Sequence, residues 1–204
     1  MENLGRPRHI NVMQNIYTNE YVRLSQLDLV VDEIITNNVK GDIAEVGVYK
    51  GYFAAVLNAS LPGRKLYLFD TFDGFNPSQE LSDREQHGLS YKYDYSDTSV
   101  EAVMQLMPNP ENCIICKGFF PETAVGLENS RFCFVSLDTD LYEPIFNGLE
   151  FFFDRLTLGG FIFVHDYNNV LYPGVKKAVR EFSLSRNVKF VPITDVYGTA
   201  IFCK

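Results

Sequence analysis

Residues 41–57, GDIAEVGVYKGYFAAVL, constrain this chain more than any other stretch. Residues 43–46 read as a short buried strand, Gly47 and Gly51 frame a tight turn, and an apolar helix starts at Tyr52. Strand, glycine turn and helix N-terminus in succession form a ligand-binding corner of α/β proteins. Glycine admits a ligand close to the backbone, and the helix amides face it. A dinucleotide site of this kind reads GxGxxG and brings its backbone against a pyrophosphate. Here the pattern is ExGxxxG, and Glu45 puts a carboxylate where a phosphate would be repelled. A cofactor with a cationic centre and no phosphate suits that corner better, and S-adenosylmethionine is such a cofactor.

The rest of the chain repeats the strand–helix alternation. Residues 65–70 (KLYLFD) are a second strand ending in Asp70, 25 positions after Glu45. An acid one βαβ unit after the glycine turn is placed to accept hydrogen bonds from both ribose hydroxyls of a nucleoside. Further strands are expected at residues 113–116, 131–137, 161–164, 189–192 and 200–203, with Gly159-Gly160 as a turn. Helices are expected at residues 20–37, from Pro121 through Leu127, at residues 143–156 and at residues 174–184. Thr98 with Glu101 fits a capping box for another helix. The last two strands are joined by a turn too short for a crossover helix, so they are antiparallel. The expected fold is therefore α/β and Rossmann-like: a seven-stranded, mostly parallel sheet with one antiparallel strand and helices on both faces. Residues 1–40 form an N-terminal extension and helix, with residues 1–18 loosely held, and residues 41–204 form the domain. Residues 71–96 lack a clear period but hold Phe75, Tyr91, Tyr93, Tyr95 and His87. A long aromatic loop in a compact domain reads as a lid.

Composition narrows the class. A net charge of −8 with no basic patch argues against nucleic acid as a partner. No apolar run approaches the ~20 residues of a membrane span, and the N-terminus lacks the apolar core of a signal peptide. The four cysteines include CIIC at 113–116. Residues three apart on a strand face opposite sides, so this is a core pattern, not a chelate. The chain reads as cytoplasmic and reduced. Phe151, Phe152 and Phe153 cannot all face one core, so this helix is read as core or interface, with a homodimer among the expected partners.

In open α/β sheets ligands bind beyond the carboxyl ends of the strands. That edge collects Glu45, Asp70, Gly118, Asp138, Asp140, His165, Asp166 and Asn169, five of them acidic. Crowded carboxylates need something positive between them, either the cofactor's sulfonium and amino groups or a divalent metal. Asp138, His165 and Asp166, from neighbouring strand ends, converge on one ion in the second case. Carboxylates suit Mg²⁺, and the histidine shifts the preference towards Mn²⁺ or a later metal. In the alternative without metal, His165 or Asp138 is the general base, and His87 is a further candidate from the lid.

The motifs GDIAEVGVYKG, LFDTFDGF, KGFFPET, SLDTDLYEP and GGFIFVHDYNN, followed by GVKKAVREF, together resemble the macrocin O-methyltransferase (TylF) family of class I S-adenosylmethionine-dependent methyltransferases. The resemblance implies cofactor binding by Glu45, Gly47, Gly51 and Asp70, with Val48, Tyr49, Thr71 and Phe72 beside them, and places Gly118 and Phe119 near the adenine. It implies a metal ligand at Asp138, which also borders the cofactor, and a candidate base at Asp140. The family's Asp-Asp-Tyr after the fifth strand is His165-Asp166-Tyr167 here. The expected activity is O-methylation of a small-molecule hydroxyl, on a sugar or glycosylated natural product, with Asp138, His165 and Asp166 positioning and deprotonating it directly or through Mg²⁺ or Mn²⁺. An amine or carboxylate acceptor, and a nucleoside-binding protein without catalysis, are the rival readings.

Overall fold

The computed structural model describes residues 20–91 and 93–204, so the expectation for residues 1–18 lies outside the described residues. Helix α1 (Tyr21–Thr36) precedes strand β1 (Asp42–Val46), helix α2 (Tyr52–Ser60) and strand β2 (Leu66–Asp70). Helices α3 (Pro77–Gln86) and α4 (Val100–Leu106) lead to β3 (Cys113–Lys117). Then follow β4 (Phe132–Leu137), α5 (Tyr142–Arg155), β5 (Leu156–Val164), α6 (Pro173–Ser185), β6 (Val191–Ile193) and β7 (Thr199–Cys203). The seven strands form one sheet in the order β3-β2-β1-β4-β5-β7-β6. The β5–β7 and β6–β7 pairs are antiparallel and the others parallel. The expected sheet, with one reversed strand, is the one observed.

Two apolar layers flank the sheet. Leu24, Leu27, Val30, Val31 and Ile34 of α1 pack with Leu57 of α2 and Val103 of α4 against Ile43, Phe134 and Phe163. On the other face Ile145, Leu149 and Phe152 of α5 and Val175, Val179 and Phe182 of α6 pack on Val46, Phe69, Leu137 and Val164. Cys113 packs with the first layer and Cys116 with the second, as strand alternation requires.

Several local expectations change. Gly159 and Gly160 lie inside β5, where Gly159 takes φ +80° and the pairing with β4 shifts register; two glycines let the strand bulge instead of turning. Ser99, not Thr98, caps α4 by accepting from the Ala102 amide, because the Thr98 hydroxyl is spent on the Tyr49 carbonyl. After Pro121 only a 3-10 turn, Glu122–Ala124, forms. Phe152 is wholly buried, while Phe151 and Phe153 are half-covered within the chain, under the Arg155 guanidinium and the Lys204 ammonium. Among the described residues no helix is long and apolar enough to cross a membrane.

Candidate active site

After β1 the chain runs outward through β2 and β3, then returns to β4 on the opposite side of β1. This reversal opens a crevice at the carboxyl ends of β1 and β4, the place where doubly wound sheets bind ligands. Gly47 makes the approach possible. It takes φ +87°, and a Cβ there would lie 2.0 Å from the Asp138 carbonyl oxygen.

Strand alternation decides which side chains meet there. Ile43, Phe134 and Phe163 face the α1 layer, so Glu45, Ser136, Asp138 and His165, two or four residues further on, face it too. Onto this polar end of the apolar face α1 delivers Arg23. Both terminal nitrogens of Arg23 donate to Asp138 Oδ2 at 3.1 Å, and one also donates to Ser136 Oγ at 3.2 Å. Its guanidinium lies 4.0 Å over the Phe53 ring and 3.8 Å from Glu20 Oε2. His165 Nδ1 sits 3.1 Å from Asp138 Oδ1 and 2.8 Å from Asp166 Oδ2. On its other side Nε2 is 3.8 Å from Glu20 Oε2.

These contacts separate the carboxylates electrostatically. Burial pushes the Asp138 pKa up, but His165 and Arg23 more than offset it and hold the carboxyl well below its usual range. Burial and Arg23 push the His165 pKa down, yet Asp138 and Asp166 carry it up to about 10. Asp140, two residues on, behaves oppositely. Burial, then Asp166 and Asp138, raise its pKa well above the usual carboxylate value. Glu45 is also raised, first by burial and then by Asp138.

A cavity of about 480 Å³ opens over this edge. Glu45, Gly47, Val48, Tyr49, Asp70 and Thr71 line it from β1 and β2, Gly118 and Phe119 from β3, and Asp138, Asp140, His165, Asp166 and Asn169 from β4 and β5. Phe75, Tyr91, Tyr93 and Tyr95 border it from the segment between β2 and α4, where Tyr95 shares a 2.9 Å hydrogen bond with Tyr172. Tyr49 meets Tyr95 edge to face across it, with ring centroids 5.1 Å apart.

Three expected site residues do not reach the cavity. Gly51 starts α2 at φ +78°, and a Cβ there would press on Val103 at 2.8 Å; its task is backbone shape and helix packing. Phe72 buries its ring in the α1 layer and contributes only a backbone amide, to Asp70 Oδ1. His87 ends α3 and lies against the Tyr142 ring, outside the cavity lining. Asp70 does line it, but its Oδ2 accepts from the Val48 and Tyr49 amides at 2.6 and 2.8 Å. With the Phe72 bond, three of roughly four carboxylate acceptor sites are filled, so one remains for a ribose hydroxyl instead of the two expected. Arg23 was not anticipated, although it sits in the apolar helical stripe formed with Leu27, Val30 and Ile34. A charge in such a stripe is the signal that marks it.

A family model described as Macrocin-O-methyltransferase (TylF) matches residues 17–204. The chain belongs to this family of S-adenosylmethionine-dependent O-methyltransferases. Among characterised relatives, an 8-demethyl-8-(2,3-dimethoxy-alpha-L-rhamnosyl)-tetracenomycin-C 4'-O-methyltransferase of Streptomyces olivaceus is 27% identical over 88% of this chain and 72% of its own length. A demethyldecarbamoylnovobiocin O-methyltransferase of Streptomyces niveus is 27% identical over 78% and 64%. In fold the chain resembles a calicheamicin methyltransferase, with a TM-score of 0.73 and 19% identity over 95% of this chain and 83% of that one.

The TylF family implies S-adenosylmethionine, and the residues present fit it. Glu45 Oε2 and Thr139 Oγ1 border the cavity, buried and without a hydrogen-bond partner among the described residues. A buried carboxylate oxygen with an unfilled bond calls for a cationic donor, which the cofactor's amino group would provide. The cavity is also within the size range of small-molecule sites.

Two groups of side chains converge closely enough to hold an ion, Glu20 with His165 and Asp195, and Asp138 with His165 and Asp166; the fit of the second group, at the strand ends, is poor. Asp138, His165 and Asp166 do converge, each offering an atom within 4.8 Å of the others. Yet Asp138 Oδ2 already carries the Arg23 fork. His165 Nδ1 faces two carboxylate oxygens, an arrangement that places its hydrogen between them. A ring nitrogen that donates has no lone pair for a metal.

Proposed function

We propose that this TylF-family methyltransferase methylates a hydroxyl of a sugar or a glycosylated natural product, with Asp140 as the general base. One observation carries the reading. The orphaned Glu45 oxygen and the buried Asp140 carboxyl, crowded by Asp166 and Asp138, line the same cavity, so a cation-binding end and a proton-accepting end share one space. Two carboxylates whose environments drive their pKa values apart identify the acid–base pair of a site. Asp138 is held ionised and engaged by Arg23 and His165; Asp140 faces Asp166 and Tyr95 and has the higher proton affinity.

When bound, S-adenosylmethionine would supply the methyl group to the hydroxyl oxygen and leave as S-adenosylhomocysteine, the carbon–sulfur electron pair staying on sulfur. The chain's residues do the rest. Glu45 holds the positive end of the cofactor, Val48, Tyr49, Thr71 and Asp70 support its nucleoside, and Gly118 leaves room beside Phe119 for the base. Asp140 accepts the hydroxyl proton, and Asn169, which donates to Asp166 Oδ1 at 2.6 Å, keeps that carboxylate turned from the acceptor. Alignment of two bound reactants accounts for most of the acceleration in such a transfer. The tyrosines of the lid segment and Tyr172 offer ring faces and hydroxyls to a polyhydroxylated acceptor and shield it from water. The relative named for a rhamnosyl-tetracenomycin acceptor supports this acceptor class.

The test is release of S-adenosylhomocysteine from protein incubated with S-adenosylmethionine and a panel of glycosides, nucleotide-linked sugars, amines and carboxylic acids. The reading expects micromolar cofactor binding by calorimetry and turnover with hydroxylated sugars alone. Turnover confined to amines or carboxylic acids would sink the acceptor assignment, and absence of cofactor binding would sink the whole reading.

A further inference from the structure

The poor fit to a divalent ion has a specific origin, the guanidinium of Arg23. It is buried and held from four sides: by Asp138, Ser136, Glu20 and the Phe53 ring. It borders the reactive cavity at the carboxylate from which an ion would have to be coordinated. We propose that Arg23 is the resident cation beside Asp138, that with the hydrogen on His165 Nδ1 it keeps a divalent ion out of the position between Asp138, His165 and Asp166, and that this chain transfers methyl groups without an ion there.

The argument is geometric. A hard divalent ion binds through oxygen atoms at about 2.0–2.6 Å and demands their lone pairs. Of the three converging groups, Asp138 has one oxygen engaged by Arg23 and the other 3.1 Å from His165 Nδ1. Asp166 has Oδ2 against His165 and Oδ1 bonded by Asn169. By lone-pair count Asp138 keeps one open acceptor site and Asp166 two, but an ion reaching them would meet the hydrogen that His165 Nδ1 holds between the two carboxylates. It would also have to sit beside a guanidinium that remains charged at any working pH and has no other outlet from its buried position. The proton chemistry is then left to Asp140. Arg23 acts on the reaction through Asp138: it keeps that carboxylate ionised and turned from the acceptor, so a single base, Asp140, receives the proton. Arg23 is in this sense a positioning residue. Glu20 and Arg23 lie three residues apart on the helix preceding the glycine-turn strand, so the site is complete only when α1 is docked.

This inference deepens the O-methyltransferase reading and rests on it for its kinetic arm; the binding arm does not. Chelator-treated wild-type protein is titrated calorimetrically with MgCl2 alone, and separately assayed for turnover with and without EDTA. The expected results are no saturable heat up to millimolar Mg²⁺ and turnover unchanged by EDTA. The same titration is made on Arg23→Met with His165→Asp, which frees Asp138 Oδ2 and exchanges the donating ring for a third carboxylate. That double variant is expected to gain saturable Mg²⁺ binding at least tenfold tighter than any seen in the wild type. Arg23→Lys, which retains a cation, is expected to remain blind to Mg²⁺ when paired with His165→Asp. Saturable Mg²⁺ binding by the wild type, or a tenfold fall in turnover with EDTA that Mg²⁺ restores, overturns the proposal. So does a folded Arg23→Met/His165→Asp protein that binds Mg²⁺ no better than wild type. If the double variant does not fold, the wild-type titration decides alone. If no acceptor supports turnover, the O-methyltransferase reading fails while the binding arm still judges this one.

Discussion

Asp138 and Asp140 are two residues apart, yet replacing each by asparagine should have opposite consequences. Asp138 accepts two bonds from Arg23 and faces His165 Nδ1, with Arg23 and His165 buried and Asp138 itself part-buried. Asparagine has the same shape but one acceptor oxygen and an amide that donates. Whichever way it turns, a donor meets Arg23 or His165, and a buried cation loses its counter-charge. Breaking a buried ion pair from one side costs about 3–5 kcal/mol. At roughly 2–4 °C per kcal/mol for a chain of this size, Asp138→Asn should melt about 6–20 °C below wild type. Asp140 has no such role. The groups acting most strongly on it are Asp166 and Asp138, which repel its charge. Asp140→Asn should therefore melt at or above the wild-type temperature and keep its cofactor affinity. Its turnover should fall about 10²–10⁴-fold, the usual contribution of a general base. Thermal unfolding followed by circular dichroism, calorimetric titration of S-adenosylmethionine and S-adenosylhomocysteine release read the three quantities. Asp138→Asn melting within about 2 °C of wild type would show that the Arg23 fork is not a buried pair in solution. Asp140→Asn keeping more than a tenth of wild-type turnover would remove Asp140 as the base.

Glu45→Gln tests the orphaned carboxylate through pH. Its raised pKa means that folding favours the neutral form, so wild-type stability falls as pH rises from the unfolded value of about 4.3 through the folded pKa. The melting-temperature gap between Glu45→Gln and wild type should be near zero at about pH 4 and positive at about pH 8, while S-adenosylmethionine affinity drops. An equal gap at both pH values contradicts the shift. Gly47→Ala should destabilise the chain by at least about 1–2 kcal/mol from its left-handed backbone alone. Because its Cβ would meet the Asp138 carbonyl, it should also abolish cofactor binding; unaltered calorimetry would refute the close approach. Phe152 meets the rings of Phe69 and Phe132 at 5.9 and 5.0 Å. Phe152→Ala should cost about 3–5 kcal/mol in urea unfolding. Half-covered Phe151 and Phe153 should each cost clearly less, and equal costs for the three would contradict the burial pattern.

The architecture was legible because it rests on local signals. The ExGxxxG turn, the apolar run before Asp138 and the acids at successive strand ends each lie in one short stretch, and the crossover rules leave little freedom in assembling them. The cavity gathers most of the residues that those signals marked. What escaped was the use of particular atoms. Asp70 looks like a ribose ligand in sequence, and only the folded turn shows its oxygens receiving Val48, Tyr49 and Phe72 amides. Asp138, His165 and Asp166 look like metal ligands because their spacing and strand positions bring them together, and they do come together. Spacing does not show what else arrives. Arg23 stands 115 residues before Asp138 and reaches it only because α1 docks on the face to which Glu45, Ser136 and Asp138 point. The clue lay in two periodicities read jointly: an arginine at an apolar position of a 3.6-residue repeat, and polar residues at buried positions of a two-residue repeat. Each alone is an unsatisfied burial cost. Placed opposite one another they satisfy it, and the partner that a crowd of carboxylates demands comes from the chain itself.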